Sequence, residues 1–211
     1  PPLQMDARAM LDRRRNPFYA HSQAAFFLAY ASPKAPPVGR LAVLDNAHYN
    51  EYNHERTAFF YLFECEQDPQ SAAALFEAGF DWARQRGLDQ IIGPKGFTAM
   101  DGMGLLVKGF EHRPAFGIPY HPPYYPELIE AAGFTPYGDT VSGYLSTQTA
   151  FPDKIHQISE LVQKRRGLRV QNFRNRRDLR RLVPHLRQLY NRALEGTQGN
   201  VPLTEREAAA L

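Results

Sequence analysis

The stretch Leu62–Gly87, LFECEQDPQSAAALFEAGFDWARQRG, changes its period once, and that change decides the fold. Its first residues complete TAFFYLFEC (57–65), aromatic and almost continuously apolar, the pattern of a strand covered on both faces. Asp68 then stands where a helix N-cap is needed, and Pro69 suits the first helical position. Leu75, Phe76, Gly79, Phe80, Trp82 and Ala83 supply a buried stripe, and Gly87 supplies the stop. Directly beyond, QIIG (90–93) reads as a short buried strand. Strand, helix and strand in that order imply a parallel crossover joining 57–65 to 90–93.

Working outward, AAFFLAY (24–30) and VGRLAVL (38–44) flank the turn SPKAPP (32–37) and predict a hairpin. HYNEYNHE (48–55) lies between two strands and is expected as a polar hairpin loop. Downstream, residues 94–123 are rich in Gly, Pro and aromatics, a loop long enough to carry function or hidden short elements. PPYYPELIEAA (122–132) predicts a helix stopped by Gly133, and TVSGYLS (140–146) a returning strand. Residues 151–166 predict an amphipathic helix with Ile155, Ile158, Leu161 and Val162 on one face. The fold class expected is α/β (α+β), a mixed and mostly antiparallel sheet flanked by helices.

This order of elements, together with the segments ECEQDP (64–69), GLLVKGF (104–110) and PYHPPYYPELIEAAGF (119–134), resembles the GCN5-related N-acetyltransferase (GNAT) superfamily. The narrower likeness is to bacterial tandem-GNAT-like proteins of uncertain activity, and it covers about Asn16 to Leu145. The superfamily's coenzyme loop, Q/R-x-x-G-x-G/A, falls on Gln67-Asp68-Pro69-Gln70-Ser71-Ala72. Gln67 and Ala72 keep the pattern, while Gln70 replaces the central Gly. The resemblance implies acetyl-CoA or another acyl-CoA as co-substrate and no metal. It would be held by Phe63 and Cys65 on the strand and by Gln67, Gln70, Ser71 and Ala72 at the helix start. The superfamily often places a Tyr acid four residues before the Gly of the late helix, and here that position is Ile129.

The resemblance also implies a domain plan. Residues 1–166 would be a GNAT-like module lacking its first strand and helix, and 167–211 the opening of a second, truncated module. On that plan LRVQNF (168–173) is a strand that pairs with a sheet edge of the first module or of a neighbouring copy. The following helix, 176–194, should lay Leu179, Leu182, Val183, Leu186 and Leu189 on apolar surface.

Direct acyl transfer needs a group that takes a proton from the attacking amine and an acid near the departing sulfur. Glu64, at the end of the central strand, is a candidate base, with a strand-end ion pair to an Arg as the competing reading. His121 is a candidate acid or base whose competing role is to cap the late helix. Tyr124, and Tyr125 beside it, can protonate a thiolate or merely pack. His48, Glu51, His54 and Glu55 invite a metal reading, but the spacing is not H-E-x-x-H and no metal is expected from it. Cys65 has no base beside it in sequence and reads as a small buried residue.

Charge sharpens the organisation. Residues 1–163 carry 13 Lys and Arg against 18 Asp and Glu, a net −5, whereas 164–192 carry 11 against Asp178 alone, a net +10. The aromatics in the basic tract, Phe173 and Tyr190, are too sparse to suggest base stacking, so it reads as a solvated helix face and nucleic acid is not expected as a partner. At 211 residues and 43% hydrophobic content, the chain can bury one sizeable core and an appendage. It contains no apolar run of membrane-spanning length. It opens on Pro1-Pro2 without Met, so a truncated start is expected. The single Cys65 fits a reducing compartment, with the cytoplasm as the default. Two functions follow from the resemblance. One is an acyltransferase acting on a small-molecule or lipid amine within an aromatic cleft built from 94–125. The other is a degenerate module supporting a second, catalytic GNAT-like module absent from this chain. Homo-oligomerisation stays open.

Overall fold

The computed structural model describes residues 4–98, 101–115, 117–146, 148–167, 172–173, 175–197 and 199–210. The chain falls into two compact units, one made of 1–136 with 184–211 and the other of 137–183.

In the first unit α1 (Gln4–Leu11) leads into a 3-10 turn at Pro17–Ala20, where the Asn16 side chain accepts the Phe18 N–H. Then come β1 (Gln23–Tyr30), β2 (Pro37–Asp45), α2 (Ala47–Asn53), β3 (Thr57–Cys65), α3 (Pro69–Gln85), β4 (Gln90–Ile92) and α4 (Tyr125–Ala131). The four strands form one mixed sheet in the order β1-β2-β3-β4. β1–β2 and β2–β3 are antiparallel, while β3 and β4 run parallel from Thr57↔Gln90 to Phe59↔Ile92. The crossover expected from the sequence is therefore present. Asp68 caps α3 as its spacing required, its carboxylate accepting the Gln70 and Ser71 N–H groups at 3.2 and 3.1 Å.

α3 covers one face of the sheet. Ala72, Leu75, Phe76 and Ala83 pack on Leu41 and Val43 of β2 and on Ala58, Phe60, Phe63 and Cys65 of β3, with Leu128 and Ile129 of α4 closing the cluster. Gly79 lets α3 approach β2 closely, since a Cβ there would lie 2.9 Å from Val43 Cγ2. The opposite face is held by Phe18, Ala24, Ala42, Leu44, Tyr49, Phe59 and Phe97.

β3 does not keep one parity along its length. Ala58 and Phe60 face α3, and then Phe63 and Cys65 face it, a slip of one residue. The slip is a β-bulge. Arg40 pairs with Glu64 and Ala42 with Tyr61, so β3 has one residue more than β2, and Leu62 takes φ +52°. Without it Glu64 would point into the core beneath α3 and Phe63 away from it.

Two expectations change. HYNEYNHE is the helix α2 and not a hairpin loop, because Asn46 accepts the Tyr49 N–H and Tyr49 is buried edge-on to Phe59. TVSGYLS (140–146) carries no regular structure, and Val141, Tyr144 and Leu145 are exposed. A strand without a ladder partner has nothing to hold it extended. The strand expected at Leu168–Phe173 lies outside the described residues, apart from 172–173. The two later helices form where expected, α5 (Asp153–Arg166) and α6 (Arg176–Ala193), followed by α7 (Glu205–Ala210). On α5, Ile155, Ile158 and Leu161 are exposed and Val162 is half-buried; on α6, Leu179, Leu186 and Leu189 are exposed, while Leu182 and Val183 are half-buried. Among the described residues no helix is long and apolar enough to cross a membrane.

Candidate functional site

The site lies where β3 outlasts its parallel neighbour. β4 pairs with β3 only as far as Phe59, and past that point the chain turns away, with Lys95 N–H donating to the Phe60 carbonyl at 2.9 Å. The turn passes hard against β3. A Cβ on Gly93 would lie 2.5 Å from the Phe60 carbonyl oxygen. The end of β3 is thus splayed open on that side, and α4 moves in beside it.

Two tyrosines from the start of α4 take the vacated positions. Tyr125 Oη accepts the Cys65 N–H at 3.1 Å, and Tyr124 Oη donates to the Cys65 carbonyl at 2.9 Å. Both backbone groups of one strand residue are therefore satisfied by phenols, and a cleft of about 350 Å3 opens around them. Leu28, the Pro37–Arg40 stretch of β2, Glu64, Cys65, Glu66 and both tyrosines line it. Burial pushes the phenols of Tyr124 and Tyr125 up, so both stay protonated at neutral pH. Tyr125 uses an oxygen lone pair on Cys65, which leaves its own proton to offer into the cleft.

Glu64 is turned outward by the bulge and forms an ion pair with Arg40 at 2.8 Å, directly opposite it in the β2–β3 register. His121 Nδ1 accepts the Leu106 N–H at 3.3 Å, and its ring lies 5.7 Å from that of Tyr125. Burial pushes the imidazole below its usual value, with Glu64 pulling the other way, so the ring is neutral. With Nδ1 engaged as acceptor, the proton resides on Nε2, and His121 serves as a donor before it can serve as a base.

The structure thus gathers Glu64, Cys65, Tyr124 and His121 at one end of β3. The loop residues are placed differently. Phe63 faces α3 and packs on Phe76, so only its backbone can meet a ligand. Ala72 is 1% exposed and belongs to the core. Gln67 and Gln70 are exposed, while the Ser71 N–H is spent on Asp68. Hydrogen bonds from Ser71, side chain first and then backbone, hold the Asp68 carboxyl below its ordinary value. It is an anion seated on the donors that a phosphate would use. Cys65 Sγ is buried, and burial raises its thiol. Arg40 was not singled out from sequence, and only the strand register reveals it.

Two curated proteins are similar over the whole of this chain. Protein YghO of Escherichia coli (strain K12) is 29% identical over 214 residues, covering 100% of this chain and 53% of that protein. The bacterial ceramide synthase of Caulobacter vibrioides (strain NA1000 / CB15N) is 29% identical over 216 residues, covering 100% and 54%. The chain spans about half the length of the curated relatives it matches. No family model matches it, and no solved structure does.

Proposed function

We propose that this chain is a GNAT-type module of an acyltransferase that moves an acyl group from an acyl-CoA thioester to an amine, at the cleft where β3 ends. The observation that carries the reading is the splayed end of β3, where phenols instead of a strand hold the Cys65 backbone. The relative named for ceramide synthesis supports an apolar acyl chain and a lipid amine as the reacting pair.

In such a transfer the amine nitrogen attacks the thioester carbonyl carbon, the C–N bond forms and the C–S bond breaks. The amine gives up a proton and the departing sulfur gains one. Tyr125 supplies that proton, because its oxygen is already fixed by the Cys65 N–H and its hydrogen is unspent. Glu64, oriented by Arg40, takes the amine proton. Tyr124 holds the Cys65 carbonyl and fixes the wall of the cleft. His121 offers Nε2–H to an oxygen of the substrate.

A second reading, a module that supports a catalytic partner module, is favoured by one observation. Asp68 fills the α3 N-terminus, and Pro69 removes a further donor there. Calorimetric titration of the chain and of Asp68→Ser with acetyl-CoA and a long-chain acyl-CoA separates the two. Ser keeps the cap without the charge, so the transferase reading expects measurable affinity that tightens several-fold in the variant. No heat from either protein at millimolar ligand would favour the supporting module.

A further inference from the structure

We propose that His21, His48 and Glu207 form a binding site for one divalent transition-metal ion, with zinc the best chemical match. The ligating atoms of these three side chains all lie within 4.8 Å of one another. They arrive from the end of the 3-10 turn, from α2 and from α7, three segments far apart in the chain. Two imidazole nitrogens and a carboxylate oxygen are a zinc-type donor set that leaves a position for water.

Glu207 and His21 are each oriented by a neighbour that uses the other polar atom, and His48 by the cap of its helix. Thr204 and Glu207 form a capping box at α7: Glu207 Oε2 accepts the Thr204 N–H at 2.8 Å, and Thr204 Oγ1 accepts the Glu207 N–H at 3.2 Å. That leaves Oε1 to face His21 Nε2 at 3.4 Å. Ser22 Oγ donates to Asn46 Oδ1 and accepts the Ala47 N–H, so its contact with His21 Nδ1 at 2.6 Å places the imidazole proton on Nδ1. Asn46 also caps α2, which sets the position of His48, and the His48 ring lies 5.2 Å from that of His21. A hydrogen-bond partner on the far nitrogen is the usual arrangement of a metal-bound histidine.

With Nδ1 engaged by Ser22, His21 turns its buried Nε2 toward a carboxylate that is itself only 7% exposed. Nε2 is buried, and its 3.4 Å contact with Glu207 Oε1 is an ion-pair distance longer than a short hydrogen bond. A cation between the two atoms would take both as ligands. Ligands each about 2.0–2.1 Å from a tetrahedral ion stand about 3.4 Å apart, so this pair is already spaced for zinc. His48 lies within 4.8 Å of both, so it has to close by at most about 1.4 Å to complete the set. An ion here would tie α7 to the 3-10 turn and to α2.

The test is zinc added to the chelator-treated chain, followed by calorimetry, thermal unfolding and X-ray absorption at the zinc edge. The expected result is one ion per chain, a raised melting temperature and a nitrogen and oxygen first shell. His48→Ala should weaken affinity at least 100-fold while leaving the melting temperature of the metal-free protein close to that of the parent. His48→Cys should retain the ion. Five other histidines give a surface background, which His48→Ala measures directly. The same stoichiometry and affinity in His48→Ala would overturn the proposal. So would a melting temperature that zinc leaves unmoved while His21→Ala lowers it, since the cluster would then be a His21–Glu207 ion pair.

Discussion

Cys65 illustrates how a strand end is finished by side chains. Its N–H and carbonyl sit at an edge that no strand covers, and Tyr125 and Tyr124 satisfy them. Tyr125→Phe keeps the ring packing on Phe63 but removes the acceptor for a buried N–H, at a cost of about 1–3 kcal/mol. Urea unfolding of the variant measures it, and Tyr124→Phe, with a half-buried ring, should cost less. Lys95 is a second residue with a definite expectation. Its Nζ lies 4.4 Å from the ring centroids of both Tyr49 and Phe59 and donates to the Gly199 carbonyl at 2.8 Å. Burial nevertheless lowers the ammonium to about 8, against a smaller raising effect of Glu55. Between about 8 and the ordinary 10.5 the unfolded chain therefore binds more protons than the native one, and stability rises with pH across that window. Unfolding free energies from pH 7 to 10.5 should show this rise in the parent and a flatter profile in Lys95→Met.

At the scale of elements, the bulge in β3 and the departure of β4 make the cleft. The bulge returns Phe63 and Cys65 to the α3 face and puts Glu64 outside beside Arg40. The departure depends on Gly93, where a Cβ would meet the Phe60 ring and carbonyl at 2.5 Å. Gly93→Ala should push β4 from β3 and destabilise by about 1–3 kcal/mol, the usual range for overpacking. Amide exchange should then quicken first at Ile91 and Ile92. The strands and α3 were legible in the sequence because caps and turns bracket them: Asp68 and Pro69 before α3, Gly87 after it, SPKAPP between β1 and β2. The bulge was not. In AFFYLF (58–63) every residue is apolar or aromatic, so a slip of one leaves no trace in the pattern. α2 was missed for the opposite reason, since its polar residues hide a single buried anchor, Tyr49, and a cap at Asn46.

Across the whole molecule, the C-terminal residues return to the first unit. Leu203 is 6% exposed, Asn191 both accepts the Leu203 N–H and donates to its carbonyl, and Asn53 donates to the Asn200 carbonyl. Leu203→Ala should cost about 2–5 kcal/mol, as core truncations do, and thermal unfolding of the 211-residue chain reads it. A truncation after residue 198 should destabilise further, because it also strips the Gly199 carbonyl from Lys95 and the Glu207 carboxylate from His21. What the sequence alone determined is local in origin: the strand and helix periods, the α3 cap, and the parallel crossover that a strand–helix–strand order compels. The tertiary structure decided what meets at a distance. It brought Arg40 to Glu64 through a shifted register, two α4 phenols to Cys65, and His21, His48 and Glu207 to one point. Periodicity reports which face of an element is buried, because burial acts on each side chain separately. Which polar groups converge is set by the packing of whole elements against one another, and no spacing along the chain encodes it.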